Sequence, residues 1–291
     1  QPTRNLALDL ARVTEAAALA AGRQMGRGDK LAADGAAVNA MRLMLNSMQI
    51  DGKIVIGEGE KDQAPMLFNG EKLGTGNGPG MDIAVDPIDG TRPLAHGLSN
   101  AIATVALAPS GTMFNPGPFF YMMKIAVGPV ARDVIDIDAP VADNLAKVAK
   151  AKGEKVEDLT AVVLDRPRHK TLINEIRQTG ARIRLIPDGD VAGALMTAMP
   201  ETDIDMLLGI GGTPEGVLAA AGMKCLGGNI MGKLHPTRPI ELEHAEKIGL
   251  DINKPLTMDD LISSDDVFFA ATGITSGDLL DGVSYFANGA R

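Results

Sequence analysis

The amino-acid sequence predicts an α/β (α+β) fold. Two observations carry this. From about Val141 the chain alternates helix and strand, and strand, polar loop and helix then recur at Ala161–Leu164, Arg182–Ile186 and Ile204–Leu208. That recurrence is the pattern of a mostly parallel sheet with its ligand edge at the strand C-termini. Ahead of it, short apolar strands end in turns of acids and glycines, as at Lys53–Gly57 and Ile83–Asp86. The change of texture places a division near residue 138, giving parts 1–138 and 139–291.

Taken in order, Asn5 to Gln24 reads as a helix with Leu6, Leu10, Val13 and Ala17 on one stripe. A glycine turn follows, then a second helix from about Asp34 to Asn46, whose Met41, Met44 and Met48 are core filler at helical spacing. Asp34 has two readings: a helix N-cap, or a metal ligand. The strand Lys53–Gly57 delivers Glu58-Gly59-Glu60, two acids that are either solvated in a turn or aimed at a ligand. Gly74–Gly80 precedes a strand and is a loop, not a dinucleotide fingerprint.

Ile83 to Thr91 is the centre of the chemistry. A short buried strand ends at Asp86, Pro87 is expected to stop it, and Asp89-Gly90-Thr91 turn into a helix with Pro93 in its first turn. Two carboxylates, a glycine backbone and a hydroxyl then meet at a strand end and a helix start. The carboxylates suit a hard divalent cation, and the N–H groups of Gly90 and Thr91 suit an anion.

Further on, Ala101–Ala108 is a strand, and Phe119–Lys124 reads as an amphipathic edge carrying a Tyr hydroxyl and an ammonium. The three strands of the second part lead into Asp165–His169, Pro187–Asp190 and Gly209–Gly216, read as ligand-edge loops. Gly227–Lys233 has P-loop spacing, but Leu234 stands where Ser or Thr would hold Mg²⁺, so it reads as a helix C-terminus with a glycine stop. Glu241–Ile248 is a short helix and Val267–Ala271 a strand.

The bulk numbers limit the function classes. The net charge of −9 repels nucleic acid and anionic membranes, and two Tyr, seven Phe and no Trp leave few stacking platforms. No apolar run reaches membrane-spanning length, the first residues are not a signal peptide, and Gln1 points to a trimmed N-terminus. The single Cys225 excludes an internal disulfide and fits a reducing cytoplasm.

The acids at strand ends and helix starts are Asp34, Glu58, Glu60, Asp86, Asp89 and Glu215. With no His/Cys cluster beside them, Mg²⁺ or Mn²⁺ is favoured over zinc. Such ions would relieve the mutual repulsion of the acids, clamp a phosphate oxygen and acidify a water that Thr91 orients. Arg166 and Arg168 flank Pro167 at a strand end and suit a second phosphate, while Asp188 and Asp190 suit sugar hydroxyls. His169 reads as a substrate contact or a surface residue, and His96, His235 and His244 as structural or exposed.

Asp86-Pro87-Ile88-Asp89-Gly90-Thr91 resembles the signature of the lithium-sensitive, magnesium-dependent sugar and inositol phosphatases. With Gly26–Lys30, Ala33–Ala37, Ile56–Glu60, Ala64–Leu67, Asp165–His169, Asp188–Asp190 and Gly212–Gly216, nearly the whole chain is similar to the class II (bacterial-type) fructose-1,6-bisphosphatases. The resemblance implies a layered αβαβα sandwich with a mostly antiparallel N-terminal sheet, and a homodimer or homotetramer. It implies metal ligands at Asp34, Glu58, Asp86, Asp89 and Glu215, and substrate contacts at Asp89, Gly90, Thr91, Tyr121, Arg166, Pro167, Arg168, Asp188, Gly189, Asp190 and Gly212. Thr91, with Glu58 and Asp34, is the expected catalytic group. Many family members carry Glu where this chain has Asp89, have a longer polar loop near Leu234–Glu241, and continue past Arg291. The activity implied is metal-dependent removal of the 1-phosphate of fructose 1,6-bisphosphate, a step of gluconeogenesis. The rival readings are a sedoheptulose-1,7-bisphosphatase, an inositol-phosphate phosphatase, or a non-catalytic sugar-phosphate-binding protein.

Overall fold

The computed structural model describes residues 5–59 and 66–291. Along the chain these form α1 (Leu6–Gly22), α2 (Lys30–Leu45), β1 (Asp51–Ile56), β2 (Lys72–Leu73), β3 (Gly80–Asp89), α3 (Thr91–Ala95) and β4 (Ile102–Pro109). There follow β5 (Tyr121–Val127), α4 (Val141–Lys152), β6 (Thr160–Leu164), α5 (Lys170–Gln178), β7 (Arg182–Ile186), α6 (Asp190–Met196), β8 (Met206–Gly212) and α7 (Thr213–Leu226). The chain ends with β9 (Asn229–Leu234), α8 (Pro239–Ile248), α9 (Met258–Leu261), β10 (Phe268–Gly273), β11 (Tyr285–Phe286) and β12 (Gly289–Ala290). The α/β class is as expected. The compact units are Gln1–Phe114 with Ser264–Arg291, and Asn115–Ser263, so the boundary falls well before residue 138 and the C-terminal strands return to the first unit.

In the first unit the sheet runs β10-β4-β3-β1-β2, antiparallel except for β1 against β3. The apolar stripe of α1 is buried at Leu10, Val13, Ala17 and Ala21, in one core with Met41 and Met48 and with Ile54, Ile83, Val85, Val105 and Leu107 of the sheet. Asn5 caps α1, accepting from the Ala7 N–H at 3.0 Å. α2 begins four residues earlier than expected because Asp29 is its N-cap, accepting from the Ala32 N–H at 2.9 Å. Asp34 therefore sits inside the helix and does not cap it.

The strand through Ile83 does not stop at Pro87. It continues to Asp89, and the pairing with β4 moves from Asp86↔Thr104 to Asp89↔Ile102, three residues against two. That extra residue is a β-bulge, which accommodates a proline lacking an N–H and re-aims the side chains around it.

In the second unit the sheet order is β7-β6-β8-β5-β9. β6 pairs in parallel with β7 and β8, but β5 is antiparallel to both β8 and β9, so the sheet is mixed where a mostly parallel one was expected. Tyr121–Lys124 lies on a central strand, correcting the expected edge. Its core joins Ile125, Val127, Leu145, Val148, Val163, Ile176 and Leu208. Gly209–Gly212, read as loop, is the end of β8 and pairs with Tyr121–Lys124. Glycine is needed there because side chains press on the strand: a Cβ at Gly211 would collide with Asp190 Oδ2, and one at Gly212 with the Glu215 carboxylate. Gly227, in the left-handed region with φ 76°, stops α7 as expected, and Lys233 on β9 bonds Asp138 at 2.6 Å, away from any P-loop role. Among the described residues no helix is long and apolar enough to cross a membrane.

Candidate active site

In the first unit the bulge and the turn after it place the acids. Asp86 is half-buried and its Oδ1 accepts from the Ile88 N–H at 3.1 Å; Asp89, at the end of β3, is buried. Gly90 adopts φ 95°, a left-handed turn that a side chain would strain, and starts α3. That turn sets Thr91 beside α2: its Oγ lies 3.2 Å from Asp34 Oδ1 and 3.2 Å from the Ile88 carbonyl, the two acceptors open to its single proton. Burial pushes the Asp34 carboxyl above its ordinary value, while the Thr91 hydrogen bond and the Lys30 charge pull it back. Glu58 follows β1 in an exposed turn, where its N–H bonds the Leu67 carbonyl at 2.9 Å. A Cβ at Gly57 would collide with that same carbonyl, so the glycine permits the turn. Glu60, Ala64 and Pro65 lie outside the described residues.

The donor chemistry of Asp34, Glu58, Asp86 and Asp89 is all carboxylate oxygen, which fits a hard divalent cation. Among the described residues no three of the acid, His or Cys side chains are already gathered as a metal cage.

In the second unit, Tyr121 at the start of β5 lies under the Arg168 guanidinium, 4.9 Å from ring centroid to Cζ. Arg168 Nε and Nη2 also donate to the Ile210 carbonyl, at 3.1 and 2.7 Å. Arg166 donates to the Asp165 carbonyl at 3.1 Å and the Pro187 carbonyl at 2.6 Å, and approaches Asp188 at 3.6 Å. Pro167 opens a short 3-10 turn between the arginines, and Gly189, with φ 84°, starts α6 at Asp190. Asp190 is buried and ion-paired with Lys124 at 2.5 Å. Glu215 is in the first turn of α7; burial and then the Asp190 charge raise its carboxyl, and Lys124 opposes them. The second unit thus gathers Tyr121, Arg166, Arg168, Asp188, Asp190, Gly212 and Glu215.

His169 is neither exposed nor presented to a substrate. It is buried, its Nδ1 lies 2.7 Å from the Leu164 carbonyl, and its Nε2 2.8 Å from the Ile210 N–H. A carbonyl only accepts and an N–H only donates, so the ring is neutral with its proton on Nδ1. β6 pairs with β8 only at Ala161–Met206 and Val162–Leu207. Beyond that point His169 and Arg168 bond Ile210 where a strand neighbour has run out. Sequence reasoning also gave no role to Lys124, whose signal was an ammonium inside the apolar run Met122–Val127.

A strand-end acid bulge beside a threonine, and a basic, carboxylate-lined loop cluster, are the parts of a sugar-phosphate phosphatase. The model of the family described as bacterial fructose-1,6-bisphosphatase, glpX-encoded, matches residues 4–291. The chain is 49% identical over 298 aligned residues to fructose-1,6-bisphosphatase 1 class 2 of Escherichia coli (strain K12), covering 98% of this chain and 88% of that protein. The fructose-1,6-bisphosphatase class 2 proteins of Escherichia coli O6:H1 and of Shigella flexneri match to the same identity and coverage. The chain belongs to the bacterial, class 2 fructose-1,6-bisphosphatase family.

Proposed function

We propose that the protein hydrolyses the 1-phosphate of D-fructose 1,6-bisphosphate, giving fructose 6-phosphate and inorganic phosphate for gluconeogenesis. The observation that carries this is the family match across residues 4–291, which takes in every residue of the two clusters. Asp34, Glu58, Asp86, Asp89 and Glu215 would hold Mg²⁺ or Mn²⁺ through carboxylate oxygens. The ion, when bound, supplies positive charge against the phosphate and its leaving oxygen.

The chain's own residues do the rest. Thr91 donates to Asp34, which leaves its oxygen to accept from a water and aim that water at phosphorus. As the water attacks phosphorus it passes a proton to the Thr91 hydroxyl, whose own proton moves to Asp34, while the bond from phosphorus to the sugar oxygen breaks and that oxygen takes a proton from solvent. The N–H groups of Gly90 and Thr91 take phosphate oxygens. Arg166 and Arg168 bind the 6-phosphate, and Tyr121, Asp188 and Asp190 the sugar.

Kinship with the lithium-sensitive phosphatases belongs to the same proposal and rests on Asp86–Thr91. So do cytoplasmic residence, for which the free Cys225 speaks, and a homodimer or homotetramer. A phosphate-release panel over fructose 1,6-bisphosphate, sedoheptulose 1,7-bisphosphate, inositol 1-phosphate and fructose 6-phosphate tests the substrate. The highest kcat/KM is expected for the fructose bisphosphate; a higher value for either rival would replace it, and binding without release would make the protein a sugar-phosphate binder.

A further inference from the structure

Lys124 is the one residue of β5 whose charge is held in the core. It is 2% exposed, its Nζ lies 2.5 Å from Asp190 Oδ2, and it donates to the Gly212 carbonyl at 3.0 Å. Those partners are the first residue of α6 and the last of β8, and Glu215 of α7 feels the same ammonium. Three elements therefore meet on one side chain.

The surrounding sequence makes room for it. A Cβ at Gly211 would stand 2.8 Å from Lys124 Nζ and 2.9 Å from its Cε, besides colliding with Asp190. A Cβ at Gly216 would stand 3.2 Å from Lys124 Cδ. Stability alone does not call for this arrangement, since a well-packed apolar side chain commonly matches or exceeds a buried ion pair. What the pair supplies is direction: Oδ2 of Asp190 is fixed, so the rest of the carboxylate has one orientation, and the Gly212 carbonyl is turned inward.

We propose that Lys124 is a positioning residue for sugar recognition, setting the Asp190 carboxylate and the Gly212 turn in the geometry that receives the substrate. The identity of the ligand rests on the function proposed above; the positioning itself does not. Lys124→Met should raise KM for fructose 1,6-bisphosphate about tenfold or more and lower kcat by less than it raises KM, because its direct partners are Asp190 and the Gly212 carbonyl while Glu215 feels it only through charge. Gly211→Ala keeps the ammonium but displaces Asp190, and should give the same KM-weighted loss even if Lys124→Met does not fold. Lys124→Arg should recover part of the loss by restoring a donor to Asp190.

An unchanged KM in either folded variant, or a loss confined to kcat, would overturn the proposal. If the parent protein releases no phosphate from this substrate, the functional reading fails separately. The positioning is then decided by crystal structures of the parent and Lys124→Met: a shifted Asp190 carboxylate and Gly212 carbonyl support it, and unmoved ones overturn it.

Discussion

Replacing His169 by Phe isolates the joint that carries the arginine loop. The ring volume is nearly kept, so packing changes little, but the Leu164 carbonyl and the Ile210 N–H each lose their partner. A buried backbone group left unpaired costs about 1–3 kcal/mol, so the two together should cost about 2–6 kcal/mol. The wild type adds a pH signature. Burial is the chief cause holding the imidazole below its ordinary 6.5, the Leu164 carbonyl opposes it, and the Arg168 and Arg166 charges add to it. The unfolded chain therefore takes a proton that the folded chain refuses. The stability from this group is fully present above pH 6.5 and is lost as pH falls through 6.5 toward the folded value. Urea unfolding from pH 7.5 to 5.5 should show the wild type weakening across that window, while His169→Phe is less stable throughout and loses that part of the slope. A variant within about 1 kcal/mol of wild type at pH 7.5 would refute the claim that His169 ties Leu164 to Ile210.

Three other expectations bear on separate parts of the molecule. Thr91→Ala should lower kcat about 100-fold with little change in substrate affinity, measured by steady-state phosphate release; an unchanged kcat removes Thr91 from the chemistry. Arg168→Ala should act mainly on KM, since it removes the cation over Tyr121 and the donor proposed for the 6-phosphate, and a pure kcat effect would assign it elsewhere. Glu241 is fully buried; burial opposes its charge, but the N–H groups of Phe120, Thr237 and Arg238 and the Arg238 side chain prevail and hold its carboxyl below the ordinary 4.5. Its stabilisation is present above pH 4.5 and disappears as pH falls through the lower folded value, and Glu241→Gln should cost about 3 kcal/mol at neutral pH in chemical unfolding.

Local order was readable from the residues where one signal dominated. The stripe Leu10, Val13, Ala17 fixed α1, and the glycine at 227 fixed the end of α7. The acids at Asp86 and Asp89 were legible because a buried strand delivers them. Readings failed where a tertiary contact overrode local preference. Pro87 looks like a strand end until a bulge absorbs it, and Gly209–Gly212 looks like a loop until Asp190, Lys124 and Glu215 are seen to need the missing side chains. Asp34 reads as a cap in sequence, and only the structure shows that Asp29, placed in the preceding turn, takes that role. His169 and Lys124 escaped for a related reason. Their partners are the Ile210 backbone, Asp190 and the Gly212 carbonyl, all distant in sequence, and no local spacing announces them.

The central claim is that this chain removes one phosphate from a sugar bisphosphate with the help of its carboxylate-held ion. The most direct measurement is inorganic phosphate released from fructose 1,6-bisphosphate by the purified protein with Mg²⁺, with Mn²⁺ and with EDTA. Release that needs the ion and stops at one phosphate per sugar, leaving fructose 6-phosphate, is the predicted result. Release of both phosphates, equal release in EDTA, or none with either ion would contradict it.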